Sequence, residues 1–150
     1  MVEKYYTPTI EEFHVGFEYE KNNEPYRRGY DKEIFTEDDM YNDNFMYHFD
    51  VKNTRVKYLD KQDIEELGWH SEMVINVWSE DDDIIDGYVI NQSNTDTYVL
   101  LYSEEDNIVG IYLQRIYNEM SGNWEEHRLF SGYIKNKSEL KNIMKMINIF

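Results

Sequence analysis

Residues 97–117 read TYVLLYSEEDNIVGIYLQRIY, two runs rich in β-branched and aromatic residues on either side of the polar break SEEDN. Runs of this composition that flank a short turn-forming segment indicate a β-hairpin. Similar runs at 87–92 and 124–134 are set off by the polar breaks 93–96 and 118–123. The sequence therefore predicts four strands that pair antiparallel with their neighbours along the chain.

Outward from this segment, the pattern towards the N-terminus is weaker. Alternating apolar residues over 12–20 predict a half-buried strand, and shorter runs predict strands at 54–59 and 73–78. Residues 21–53 are polar with scattered rings, and they predict a long loop that contains one short helix or strand near 40–49.

Two helices complete the predicted architecture. Asp60 is suited to cap a short helix over 61–67, and Asn136 to cap a C-terminal helix. The apolar stripe of the second helix consists of Leu140, Ile143, Met144 and Ile147. We expect an α+β fold: a curved antiparallel β-sheet or partly open barrel of about six to seven strands, with one short helix and one C-terminal amphipathic helix. The length of 150 residues and the absence of a Pro- or Gly-rich linker predict a single domain over 1–150.

The net charge is the strongest indication of which partners the surface attracts or repels. Aspartate and glutamate number 31 against 15 lysines and arginines, which gives a formal net charge of −16, and the chain has fourteen tyrosines, seven phenylalanines and three tryptophans. A disordered acidic tail lacks such aromatic content, so the chain is predicted to fold with its charge outside an aromatic core. Such a surface repels the nucleic-acid backbone and attracts basic partners, so direct nucleic-acid binding is not expected.

Composition also bounds the chemistry and the compartment. No cysteine is present, which excludes disulfides, thiolate zinc sites and thiol catalysis. The sequence has neither a signal-like N-terminus nor a run of about 18 apolar residues. We expect a soluble cytoplasmic protein with no membrane partner.

Catalytic motifs are missing from the sequence. Gly-x-Ser-x-Gly, Gly-x-x-x-x-Gly-Lys-Ser/Thr and Gly-x-Gly-x-x-Gly do not occur, and the four histidines are scattered singly. The acidic run 80–83 does not follow the spacing of a calcium loop. These observations favour a non-enzymatic protein without metal or cofactor, and a hydrolytic site assembled from dispersed histidines and carboxylates stays open as an alternative.

Rings and arginines provide the better candidate site. Arginine is scarce, and adjacent guanidinium groups between two tyrosines could clamp phosphate while the rings stack on bases for about 1–3 kcal/mol each. The alternative for each arginine is a salt bridge to one of the surplus carboxylates. The predicted ligand-binding residues are Tyr26, Arg27, Arg28, Tyr30, Arg55, Trp69, Trp78, Arg115 and Arg128.

Four segments carry a resemblance: YYTPTIEEFHVGFEYE at 5–20, RVKYLD at 55–60, IEELGW at 64–69 and GYIKNKSELK at 132–141. Together they resemble a group of uncharacterised small acidic proteins encoded by phages and mobile elements of Bacteroidota. The resemblance carries over no catalytic residue. It implies a role in the bacterial host cell against host defence.

Two functions follow from this combination. The first is a non-enzymatic phage protein that sequesters a small nucleotide signal, such as a cyclic dinucleotide or an ADP-ribose derivative, in a pocket between protomers of a homo-oligomer. The second is an acidic DNA mimic that docks on a basic host defence protein. The rings and arginines favour the first function, and the net charge favours the second.

Overall fold

The computed structural model describes residues 3–26, 28–41, 50–81, 83–118, 120 and 122–149. The chain forms two compact units. The first contains Met1–Tyr58 and Asn136–Ser138, and the second contains Leu59–Lys135 and Glu139–Phe150. Whether the whole chain folds as one domain stays a prediction.

The first unit contains β1 (Tyr5–Tyr6), β2 (Glu18–Asn22), β3 (Tyr30–Ile34), α1 (Glu37–Tyr41) and β4 (Thr54–Lys57). The four strands form an antiparallel sheet with the order β1-β4-β2-β3. Single 3-10 turns lie at Ile10–Glu12 and Val51–Asn53.

Aromatic side chains fill the core on one face of this sheet. Phe17, Tyr19, Phe35 and Val56 are buried. The ring of Phe13 packs edge-on against the first two, with centroid distances of 4.9 and 5.0 Å. The opposite face carries Glu20 and Arg55, which are partners in the register, together with Tyr5 and Tyr30, because successive strand residues point to opposite sides.

The predicted strand over 12–20 is wrong in its first part. Thr9 and Glu12 form a capping box, in which the Thr9 amide donates to the Glu12 carboxylate at 2.7 Å, and this starts a 3-10 turn instead of a strand. Gly16 then adopts a positive φ of 91°, and pairing begins only at Glu18. The alternating pattern arises because the rings of Phe13 and Phe17 reach the core from a loop, in line with the strand residue Tyr19.

The second unit contains a five-stranded antiparallel meander whose strands lie in chain order. The polar breaks noted in the sequence separate its last four strands, and neighbouring strands pair antiparallel, so the predicted hairpins are confirmed. The strands are β5 (His70–Ile75), β6 (Ile84–Asn91), β7 (Asp96–Ser103), β8 (Ile108–Asn118) and β9 (Asn123–Tyr133).

Two helices, α2 (Lys61–Glu66) and α3 (Lys137–Met146), match the helix predictions. Asp60 caps α2, since its Oδ1 accepts a hydrogen bond from the Asp63 amide at 2.9 Å. The main core cluster combines side chains of α2 and its flanking residues with side chains of the strands and of α3. Its members include Leu59, Ile64, Trp69, Leu100, Val109, Ile111, Leu140 and Met144.

A second cluster lies on other strand positions of the same sheet and contains Val74, Val89, Val99, Leu101 and Tyr112. Space is tight here. A Cβ atom at Gly110 would lie 2.9 Å from the ring of Tyr112 and 3.1 Å from the indole of Trp78. Glycine is therefore required where these two rings approach the strand.

The α+β class with antiparallel pairing is confirmed, and the described residues form no closed barrel. The described strands number nine in two sheets instead of about six to seven in one. The additional strands β1 and β3 are short or mixed in polarity, so no apolar alternation marks them. The predicted element near 40–49 overlaps the end of α1, and its remainder, 42–49, lies outside the described residues. No helix in the described segments is long and apolar enough to cross a bilayer.

Candidate functional site

A cleft of about 540 Å³ opens in the second unit. The cap residue and side chains of α2, strands β6 and β7, and the turn after β7 contribute its walls. Tyr88 pairs with Leu100 across β6 and β7, so Tyr102, two residues further along, projects from the same face. The lining residues are Asp60, Lys61, Gln62, Glu65, Asp86, Tyr88, Tyr102 and Glu104.

The carboxylates of the cleft act together on its tyrosines. Burial raises the pKa of Tyr88, and the negative charges of Glu65, Glu104, Asp86 and Asp60 raise it further. Each of these charges opposes the formation of a phenolate at the same hydroxyl. The region around that hydroxyl therefore carries a negative potential.

Tyr102 forms a fixed wall of the cleft. Its hydroxyl donates a hydrogen bond to the carbonyl of Leu59, which holds the ring in place. Burial raises the pKa of Tyr102, and the charges of Glu104 and Asp60 add to the effect. The phenol is consequently neutral at physiological pH, and its side chain is part of the cleft lining.

Lys61 is the one cation among the lining residues, and its Nζ lies 3.7 Å from Oε1 of Glu65. Four carboxylates and one ammonium give the lining residues a formal net charge of −3. Among the described residues, no three histidine, aspartate or glutamate side chains are grouped so that they could hold a metal ion. The cleft thus offers dispersed carboxylates and ring faces, which suit an organic cation such as a guanidinium or ammonium group.

A second cavity, of about 510 Å³, has a different character. Its lining has no charged side chain. The indole of Trp124 is 49% exposed and lies beside the aliphatic side chain of Ile116. We call this cavity the Trp124 groove, and its lining residues are Ile75, Asn94, Gln114, Ile116, Gly122 and Trp124.

Of the predicted ligand-binding residues, the structure brings together Tyr30 and Arg55. The guanidinium of Arg55 lies between the rings of Tyr5 and Tyr30, with its Cζ atom 3.8 Å from each centroid. Its Nη2 donates to Oε1 of Glu20 at 3.0 Å. The charge of this arginine is therefore compensated within the first unit.

The remaining predicted residues of the first unit are exposed or not described. The side chain of Tyr26 is 95% exposed, and Arg28 is also exposed. Arg27 lies outside the described residues. The predicted phosphate clamp at these two arginines stays a prediction.

The other predicted residues lie in the second unit and occupy separate environments. Trp69 is a core residue that is 1% exposed, and its indole N–H points to the sulfur of Met144 at 3.3 Å. Trp78 is 42% exposed and packs over Gly110. Neither cavity includes either tryptophan.

The two arginines of this unit differ from each other. Arg115 binds Asp96 through two hydrogen bonds, of 3.0 and 3.2 Å. This contact lowers the pKa of Asp96 and raises that of the arginine. Arg128 is exposed on β9, near the Tyr112 hydroxyl.

The cleft itself was not predicted. Its carboxylates come from segments that are far apart in the chain, and acidic residues are too abundant for their spacing to stand out. Tyr88 and Tyr102 had the appearance of ordinary strand residues. The cap position of Asp60 was the one available signal, since it placed a carboxylate at the start of a helix.

No known protein family, curated protein or solved structure matches the chain. The functional argument therefore depends on the geometry and charge of the described residues.

Proposed function

We propose that this protein is a non-enzymatic acidic binding protein that docks on a basic partner and receives a cationic side chain of that partner in the cleft. The observation that carries the proposal is the convergence of four carboxylates on two tyrosine rings in a cavity of about 540 Å³. An arginine side chain of the partner can satisfy a carboxylate with paired N–H donors and stack on a ring face.

The charge of the whole chain supports the same partner. A net charge of −16 attracts a basic surface over long range and accelerates encounter at low salt. In the phage setting that the sequence resemblance implies, the partner is a basic host defence protein and the carboxylates take the place of DNA phosphates. This finer identification is part of the proposal.

Capture of a small nucleotide signal is the second candidate. The stack of Arg55 between Tyr5 and Tyr30 favours it, because it joins two predicted site residues in one half-exposed group. Its guanidinium is already paired with Glu20, however, and the two cavities are lined by residues of the second unit alone. An acidic cleft is unfavourable for phosphate. The basic partner therefore ranks first.

A nine-residue oligo-arginine peptide is a suitable probe for the cleft. Glu65→Gln/Glu104→Gln removes two cleft charges, and Glu11→Gln/Glu80→Gln removes two exposed charges elsewhere, so the net charge of both variants is the same. Calorimetric titration should show affinity lower by about tenfold in the cleft variant, since two charge-assisted contacts are lost, and by about twofold or less in the control. Equal affinities in the two variants would remove the cleft from the proposal.

The two candidate functions separate in a further assay. A panel of cyclic dinucleotides and ADP-ribose derivatives is added during thermal unfolding, where a tight ligand raises the melting temperature with the logarithm of its excess over Kd. We expect no shift with the nucleotides. The protein and a short DNA duplex should also compete for the same oligo-arginine peptide. Competition of this kind, together with peptide binding that weakens steeply as salt is added, would support DNA mimicry.

A further inference from the structure

We infer that the outer edge of β9 is a second docking element, at which an extended basic segment of the partner adds as a sixth strand of the sheet beside the Trp124 groove. This inference rests on the proposed function, because it takes the partner to be basic. It identifies the part of the partner that is recognised by backbone pairing, separately from the side chain that enters the cleft.

The topology leaves one edge of β9 without a strand neighbour. β9 is the last strand in the sheet order and pairs with β8 on one side, and no described strand pairs with its other side. Alternate backbone N–H and C=O groups of an edge strand point outward and can template a further strand. At eleven residues β9 is long, and it contains neither the lysine nor the proline that commonly protects such edges.

An unbroken stretch of this edge is available for pairing. The register with β8 is irregular where Ile111 and Tyr112 face Phe130 and Arg128, which leaves Leu129 between them, and again in β8 between Ile116 and Asn118. Residues 123–128 lie on the N-terminal side of the bulge at Leu129 and follow one another without a skipped position in β9. Six residues are comparable with an average strand in length.

The side chains of this stretch define what an added strand should contain. Trp124 and Glu126 project from one face, since they are paired with Ile116 and Gln114, and Glu125 and His127 project from the other. A residue directly opposite Trp124 would lie about 4.5–5.5 Å away between Cβ atoms. An apolar side chain at that position would cover the exposed part of the indole and extend the uncharged lining of the Trp124 groove.

Charge complementarity identifies the neighbouring positions of the added strand. Glu125 contacts His127 and lies opposite Arg115, whose charge interacts with it, whereas Glu126 accepts a hydrogen bond from the neutral amide of Gln114 at 3.4 Å. Lysine or arginine opposite Glu126 would compensate its carboxylate. A second copy of the chain fits less well, because its own net charge of −16 would repel the first copy.

The test uses the Glu65→Gln/Glu104→Gln protein, so that the cleft does not contribute, and the synthetic peptide acetyl-Thr-Val-Lys-Lys-Leu-Thr-Val-amide as the probe. Two analogues carry N-methyl groups on the odd or on the even residues. One of the two cannot donate hydrogen bonds to β9, while both keep every side chain. Amide exchange is followed by NMR, and the affinity by titration.

We expect the unmodified peptide to slow exchange within 123–128 and one methylated analogue to bind about tenfold more weakly than the other. Trp124→Ala should weaken binding several-fold relative to the matched variant Trp78→Ala, which removes an exposed indole elsewhere in the same unit. Equal binding of both analogues, or protection outside β9 alone, would overturn the inference. Protection of 123–128 in the free protein together with a dimeric mass would also overturn it.

The outcomes for the two proposals are distinct. If oligo-arginine binds the wild-type cleft but the extended peptide does not protect β9, the edge inference fails and the proposed function stands. If neither basic probe binds the wild-type protein, both fail.

Discussion

Substitution of Arg55 tests whether the most conspicuous cation of the first unit is a structural group or a ligand-binding group. The Cζ atom of its guanidinium lies 3.8 Å from the ring centroids of Tyr5 and Tyr30, and the group is hydrogen-bonded to Glu20. If Arg55 is a structural group, its replacement lowers the stability of the protein. If it is a ligand-binding group, its replacement lowers only the affinity of the protein for the ligand. The informative replacement is Arg55→Lys, because it keeps the charge and removes the planar fork.

The structure sets the expected size of the effect. Two ring contacts contribute about 0.5–1 kcal/mol each at partly exposed sites, and the ion pair with Glu20 about 1 kcal/mol. The side chains of Arg55 and Glu20 are 31% and 16% exposed, so solvent screens this pair only in part. Arg55→Ala should therefore lower the free energy of unfolding by about 2–3 kcal/mol, which corresponds to a melting temperature lower by about 4–12 °C. Arg55→Lys should lose about half of that, since it keeps part of the ion pair.

Urea unfolding followed by circular dichroism measures these differences, and a double-mutant cycle isolates the stacking contribution. Arg55→Lys and Tyr30→Leu, alone and combined, should give a coupling energy of about 0.5–1 kcal/mol. Glu20→Gln is the control, because it weakens the ion pair and leaves both rings in place. A coupling energy below about 0.3 kcal/mol, or an Arg55→Lys protein as stable as the wild type, would show that the stack contributes nothing to stability and would return Arg55 to the ligand-binding candidates.

Three further predictions concern the second unit. Trp69→Ala should lower the free energy of unfolding by about 3–5 kcal/mol and Trp124→Ala by less than about 1 kcal/mol, because only the first indole is buried. Urea unfolding measures both, and similar losses in the two variants would contradict the assignment of Trp69 to the core. Gly110→Ala should cost about 1–3 kcal/mol in thermal unfolding, since its Cβ would lie 2.9 Å from a neighbouring ring, and an unchanged melting temperature would argue against that close contact. NMR titration should find the Asp96 carboxyl pKa below its usual value of about 3.9, with Arg115→Gln restoring it. Because the folded-state pKa of Asp96 is lowered, its contact with Arg115 stabilises the protein above the unfolded-state pKa, and this contribution is lost as pH falls through the folded-state pKa. The free energy of unfolding of Arg115→Gln should therefore decrease less than that of the wild type as the solution is acidified.

The meander and both longer helices could be predicted because their signals are local. Turn residues separate apolar runs in 84–134, and Asp60 and the stripe through Leu140 and Met144 mark the helices. The first unit was harder to predict because its order does not follow local periodicity. Its strands are short, and the rings of Phe13 and Phe17 reach the core from a loop and so imitate strand alternation.

The candidate sites, like the fold, could be predicted only in part. Tyr30 and Arg55 were predicted as members of one site, and they do meet, but together with Tyr5 and Glu20, which no spacing rule connects to them. Trp69 has the same residue type as Trp124, and only the packed structure shows that the first is buried in the core and the second is half exposed at a groove.

By itself the sequence determined the excess of acidic residues and the antiparallel meander, since composition and near-neighbour periodicity act through solvation and local backbone preference. The expected aromatic core is present in the first unit, whereas the core clusters of the second unit consist mainly of aliphatic side chains. The tertiary structure alone decided which charges are neighbours. Carboxylates at 60, 65, 86 and 104 share one cleft because β6, β7 and the start of α2 meet there. Coulomb energy depends on distance in space and not on separation along the chain, so this grouping could be recognised only after the strands were paired.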